Sequence, residues 1–319
     1  MASPMSSLRR QLFQHGAALF RWFNRKQVPV LMYHGVLPEA EALSHGDWLQ
    51  VSTEEFGAQM AYLHRHYTPV SLRSLLASPL QSWGKPPVVV TFDDGYANNF
   101  HHALPVLQQF SIPATIFLAT SYLGTSRFFW WDRLRLSVLA CGTEAPVGLP
   151  ARLKRLPPAE IDQALACALL EAAIAPLAND AAPDAYRSLA VDELQQLKGS
   201  GLIDFGSHTA GHEIIEILNE VELDRTLATA ATALQGWGCS SELFAAPNGD
   251  YLDSQIPVMQ RHGIVACAST LEGLWVPGTV PYRIPRLGIG RGMPIDRFAL
   301  KLSGARQALG RLASRRRAY

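Results

Sequence analysis

Short apolar stretches, several of them ending in polar residues and spaced by helical patterns, constrain this chain more than any other feature. Val28–His34, Pro87–Asp94, Ala114–Ala119, Asp204–Thr209, Leu243–Ala246 and Val265–Ser269 read as strands. The second is valine-rich (PVVVTFDD), as suits a strand covered on both faces. Ser52 or Thr53 caps a helix to about His66, with Glu54 and Glu55 in its first turn. A short helix follows Pro69 and Val70, and others are expected over 98–110, 191–198, 220–235 and 254–262. Strands alternating with helices imply parallel β-α-β units, hence an α/β sheet or barrel. The rhythm breaks from about 121 to 186, which is aromatic at first, then alanine- and leucine-rich, with six prolines. That stretch reads as a mostly helical insertion, not a separate domain.

At 319 residues, 48% hydrophobic and 17% charged, the chain has ample apolar material for a core and little of the signature of disorder. Its apolar runs fall far short of a bilayer span. Cys141, Cys167, Cys239 and Cys267 form no C-x-x-C pair, which argues against a disulfide framework or a thiolate zinc site. A net charge of +1 argues against a nucleic-acid partner.

That small net charge hides an asymmetry. Residues 1–29 carry five basic residues and 297–319 carry seven, and all 27 acidic residues lie between them. Met5, Leu8, Leu12, Leu19, Phe20 and Phe23 fall roughly on one helix face, and Phe298, Leu302, Leu309 and Leu312 alternate with basic residues near the other end. The expected organisation is a basic amphipathic helix over 1–27, a catalytic domain over 28–296 and a basic C-terminal helix and tail over 297–319. Such ends suit an anionic membrane surface, or they pack on the domain and show their charges to water. Arg21, Arg25 and Lys26 interrupt the only candidate signal segment, and no A-x-A site follows. A cytoplasmic location, peripheral at the inner membrane, is the expectation.

Polar residues at the carboxyl ends of parallel strands face the active site in folds of this class. Asp93 and Asp94 form one such end, in Thr91–Tyr96 (TFDDGY). Adjacent carboxylates are costly unless a cation or proton separates their roles, and a bend at Gly95 is needed to aim both at one site. The pair alone also fits a solvated D-D-G turn. His208 and His212 form a second end; four apart on a helical turn, they can face one ion, and the spacing alone also fits two ordinary surface histidines. With one carboxylate they make an Asp–His–His set with an open position for water, a catalytic rather than structural pattern. His34 closes the first strand and would share that rim, unless it is a hydrogen-bonded structural histidine.

Thr91–Tyr96 (TFDDGY) with His208–His212 (HTAGH) resembles the first two motifs of the NodB-homology polysaccharide deacetylases, carbohydrate esterase family 4. Phe244–Gly249 (FAAPNG) resembles the third motif, and Arg283–Leu287 (RIPRL) an L-P-R-I segment near the end of the domain. The usual late histidine motif is missing, and Tyr33–His34 matches the arrangement of the poly-N-acetylglucosamine deacetylases, where an N-terminal Y-H takes its place. Ala245 stands where many members carry Arg, and Asn248 where many carry Tyr.

The resemblance implies a distorted (β/α) barrel of the NodB-homology type with a helical insertion. It implies a divalent metal held by Asp94, His208 and His212; zinc suits that donor set, and cobalt, nickel and iron are compatible with it. Asp93 is then the base on a water acidified by the ion, His34 protonates the departing amine, and Arg286 orients Asp93. A backbone N–H near Asn248 would help hold the oxyanion. Tyr96, Pro247, Asn248 and Trp131 are the expected substrate contacts. The aromatic run Phe128–Trp131 either stacks on sugar or anchors the insertion to the core, and anchoring is the favoured reading. The expected substrate is an N-acetylated sugar of a glycan or glycan precursor, such as a polyprenol- or nucleotide-linked sugar. Deformylation or another small-amide hydrolysis at the same site, or an inactive carbohydrate-binding relative, are the alternatives.

Overall fold

Pro87–Phe92 (β5) is buried at every position, as a valine-rich strand with covered faces must be. In the computed structural model, which describes residues 16–41, 47–78, 84–178 and 183–305, six more such strands join it. They are Val28–Tyr33 (β1), Ala114–Leu118 (β6), Ile203–Ser207 (β7), Leu243–Ala245 (β8), Ala266–Glu272 (β9) and Ile284–Gly288 (β11). All pair in parallel, in the order β1-β5-β6-β7-β8-β9-β11, and β11 returns to β1. The result is a closed seven-stranded barrel ringed by helices, so every strand ends on one rim. Thr68–Pro69 (β4) extends β5 in parallel, and Leu274–Trp275 (β10) runs antiparallel to β1. Gly35–Leu37 (β2) and Gln50–Ser52 (β3) pair apart from the barrel.

Five of the six expected strands end one or two residues earlier than their sequence pattern suggests, three of them (β1, β5 and β7) before the polar residues that follow. The backbone explains this at two ends: Asp94 has φ 73° and Thr209 φ 64°, conformations that cannot continue a strand. The sixth, β9, instead runs on to Glu272. β11 was expected only as a motif. Pro285 and Arg286 disguise it, yet Arg286 is buried and hydrogen-bonded inside.

The helix after β3 is Thr53–His66, with Ser52 as cap and Glu55 completing a capping box. The crossover from β6 to β7 contains helices Trp130–Ala140, Leu149–Leu153 and Pro158–Glu171. They share an apolar cluster of their own that includes Leu134, Leu153, Leu165 and Leu169. Phe128 and Phe129 join them to the barrel through Tyr96, Tyr122 and Tyr186.

At the chain ends, residues 16–23 are helical, and the rest of the expected N-terminal helix lies outside the described residues. Helix Ile295–Leu302 buries Phe298, Ala299 and Leu302, so the expected boundary at 297 falls inside a packed helix. Residues 306–319 lie outside the described residues. No helix among the described residues is long and apolar enough to cross a membrane.

Candidate active site

The rim at the carboxyl ends of the strands carries the titratable groups that the sequence singled out. After β5 the chain turns at Asp94 (φ 73°) and Gly95 (φ 84°). A Cβ at Gly95 would sit 2.7 Å from Leu118 Cδ2, so the position needs glycine for conformation and space. This bend lets two successive carboxylates, both buried, serve one site.

After β7, residues 209–211 form a turn, not the helical turn expected from the H-x-x-x-H spacing. Thr209 (φ 64°) and His212 (φ 59°) are both left-handed. Local polar partners replace helical bonds. Glu213 N–H donates to Thr209 Oγ1 at 2.9 Å, and Ala210 N–H donates to Thr226 Oγ1 at 3.0 Å. Thr226 Oγ1 and Gly211 N–H both donate to Glu213 Oε2 at 2.8 Å. This turn brings both imidazoles against Asp94: its Oδ1 lies 3.5 Å from His208 Nε2 and 3.4 Å from His212 Nε2.

Three observations fit this trio to a divalent ion. Asp94 Oδ1 is buried with no hydrogen-bond partner. A tetrahedral ion about 2.1 Å from each ligand separates them by about 3.4 Å, close to both Asp–His distances. The His208 Nδ1–H donates to the Ala245 carbonyl at 2.7 Å, which leaves Nε2 unprotonated and facing Asp94. Burial lowers His208 to about 4, and burial and then His208 hold His212 well below its usual value, so both rings are neutral at pH 7. Burial, then Asp93 and Asp132, push the Asp94 carboxyl well above its usual range, a penalty that a cation relieves.

Asp93 faces the opposite environment. The buried Arg286 guanidinium grips it through two bonds of 2.7 Å, Nη1 to Oδ1 and Nη2 to Oδ2. Arg286 Nε–H also donates to the Ser269 carbonyl at 2.9 Å, and Nη1–H to Thr91 Oγ1 at 3.1 Å. Burial alone would raise the Asp93 carboxyl. Arg286, then His208 and His34, hold it well below the usual carboxylate range. His34, at the end of β1, has a buried Nδ1 without a partner, and burial lowers its pKa against the pull of Asp93.

His34, Asp93, Asp94, His208, His212, Asn248 and Trp131 line one cavity of about 850 Å³. Trp131 stacks on Phe129 at 4.5 Å and lies 4.5 Å from the His212 ring. Phe128, Phe129 and Trp130 are buried, so the aromatic run anchors the insertion while Trp131 also reaches the cavity. Two expected sugar contacts are placed elsewhere. Tyr96 is turned inward by the bend before it. Its hydroxyl donates to Asp132 Oδ2 at 2.7 Å and accepts from Trp131 Nε1 at 3.2 Å. Pro247 is buried at the start of the turn after β8 and does not line the cavity.

A buried polar network behind Trp131 went unread. Asp132 pairs with Arg135, and Arg135 Nη1 reaches Asp47 Oδ2 at 2.6 Å. Asp47 and Trp48 line the cavity. The signal for Asp132 lay in the same F-F-W-W-D segment, where an acid beside four aromatics predicts a buried, paired carboxylate. Asp47 had no local signal.

Comparison with known proteins agrees with this fold. The family model described as "Polysaccharide deacetylase" matches residues 81–267. YxkH of Bacillus subtilis (strain 168) is 36% identical over 103 residues, which are 31% of this chain and 34% of that protein. The match thus spans about a third of the curated relative. Several solved structures share the fold, among them the following two. Streptococcus pyogenes deacetylase PplD in complex with acetate has a TM-score of 0.60 at 18% identity, covering 86% of this chain and 98% of that one. IcaB from Ammonifex degensii has a TM-score of 0.58 at 19% identity, covering 87% and 97%.

Proposed function

Because the chain belongs to the polysaccharide deacetylase family, we propose that it is a metal-dependent hydrolase that removes N-acetyl groups from an N-acetylated sugar of a glycan or glycan precursor. The observation that carries this is the orphaned Asp94 Oδ1 facing two neutral imidazoles, beside an Arg-held carboxylate in one cavity. Asp94, His208 and His212 hold the ion, and zinc is the ion we propose for this donor set. When bound, it acidifies a water to a pKa of about 7 and polarises the acyl oxygen.

The other steps belong to the chain. Asp93, kept ionised by Arg286, takes the proton of the attacking water. The backbone N–H at Asn248, held in a left-handed turn (φ 56°), supports the negative acyl oxygen. His34, which lines the cavity beside Asp93, delivers a proton to the leaving nitrogen, without which an amine leaves poorly. Trp131 offers a ring face to the sugar beside the ion-holding His212.

Metal content and product analysis test this together. Wild type should carry about one divalent ion per chain and release acetate from N-acetylated oligosaccharides. Asp94→Asn and His208→Ala should each lose most of the ion and the activity while remaining folded. Equal metal in all three proteins would remove Asp94 and His208 as ligands. Formate released from an N-formyl sugar, with no acetate from its N-acetyl counterpart, would move the activity to deformylation.

A further inference from the structure

The helix at 16–23 packs through one side only. Ala17 is buried, the Arg21 guanidinium donates to the Tyr62 hydroxyl at 3.3 Å and sits 5.6 Å from the Tyr67 ring, and Asn24 Nδ2 donates to the Ser303 carbonyl at 2.8 Å. The other side is bare. Leu19, Trp22 and Phe23 are 55%, 59% and 64% exposed. Trp22 and Phe23 touch edge to face at 5.1 Å, and the Arg25 guanidinium lies 4.8 Å from the Trp22 ring. Exposed tryptophan and phenylalanine flanked by exposed Arg25 and Lys26 is not a face that water favours.

Charge says what covers it. Asn24 touches Ser303, two residues before the last described residue, so the first and last described segments meet at one place. The segments beyond, 1–15 and 306–319, add Arg9 and Arg10 on one side and Arg306, Arg311, Arg315, Arg316 and Arg317 on the other, without a single acid. Aromatic and aliphatic side chains ringed by cations match the boundary of an anionic bilayer, where rings enter the headgroup layer and cations meet the lipid phosphates. A protein partner would have to carry a strongly acidic rim around an apolar centre.

We propose that the face of Leu19, Trp22 and Phe23 docks on an anionic lipid bilayer, with the cavity mouth turned toward water. The orientation follows from topology. Asn24 precedes β1 and Ser303 follows the helix that returns from β11, so this face lies at the amino ends of the strands. The catalytic groups lie at the carboxyl ends, a six-residue strand or roughly 20 Å away. A glycan reaching the site therefore comes from the aqueous side, which disfavours a sugar on a short lipid carrier in the same bilayer. This last clause rests on the deacetylase reading; the docking itself does not.

Co-sedimentation of the full chain with vesicles tests it. Wild type should bind vesicles of phosphatidylglycerol and phosphatidylcholine, and bind pure phosphatidylcholine at least tenfold more weakly. Added salt should weaken the binding. The double variant Trp22→Ser with Phe23→Ser, at exposed positions, should keep the wild-type Tm and lose at least tenfold in affinity. Wild-type binding by that variant would overturn the proposal, leaving the terminal arginines as sufficient. Absence of wild-type binding would overturn it too, as would sedimentation showing a dimer that the double variant abolishes, which would give the face to a second copy. None of these readouts uses catalysis, so their failure is distinct from failure of the proposed activity.

Discussion

Asp93→Asn is expected to lower kcat about a thousandfold, within the 10²–10⁴ range of a positioned base, with metal content unchanged. The amide keeps the shape of the carboxylate and its oxygen still accepts from Arg286, but it cannot take a proton from water. Asp93 is not a member of the Asp94, His208 and His212 trio, so the ion should stay. The measurement is kcat for acetate release together with metal content by mass spectrometry. A fall of less than tenfold would remove Asp93 as the base. Loss of the ion would instead make it a ligand. The contrast with Asp94→Asn separates two adjacent carboxylates that a sequence alone treats as equivalent.

Arg286→Met is expected to cost about 3–5 kcal/mol of stability, because it leaves a buried carboxylate without its cation. Its pH dependence follows from the direction of the Asp93 shift. In wild type the folded carboxyl lies below its unfolded value of about 4. The pair therefore stabilises fully above that value, and the contribution is lost as pH falls through the lower folded value. Without Arg286, burial dominates and the folded value rises, so the variant is penalised most at neutral pH and less as acid protonates Asp93. The Tm gap between the two proteins should narrow from pH 7 toward pH 4. The acidic limb of kcat/KM should move to higher pH in the variant, since its base protonates sooner. A gap independent of pH would mean that Arg286 acts through packing alone.

The strands that place the site were legible because burial on both faces demands unbroken apolar runs, and Val88, Val89 and Val90 of β5 show this plainly. The grouping of Asp94, His208 and His212 was legible because these residue types have few other reasons to end strands. What stayed hidden depends on the third dimension. The resemblance alone points to Arg286 as the residue that orients Asp93; no local pattern marks it as a buried strand residue, and its guanidinium finds Asp93, Thr91 and the Ser269 carbonyl only inside the closed barrel. Tyr96 adjoins the motif in sequence, but two left-handed residues rotate the chain before it and send its ring into the insertion. The histidine pair does converge on Asp94, but from a tight turn and not the expected helical one. Spacing of four is compatible with a helix, and only the Thr209, Thr226 and Glu213 bonds decide for a tight turn.

Closure of the barrel has a consequence for how the folded chain behaves in a crowded solution. Each of its seven strands has a partner on both sides, and at the margins stand only β4 and β10, two residues each. Unpaired backbone along a long margin is what lets one sheet recruit another. Among the described residues, the native barrel offers no margin long enough to template such growth. Self-association through the backbone therefore requires the barrel to open, and precipitation on heating should begin with global unfolding rather than precede it.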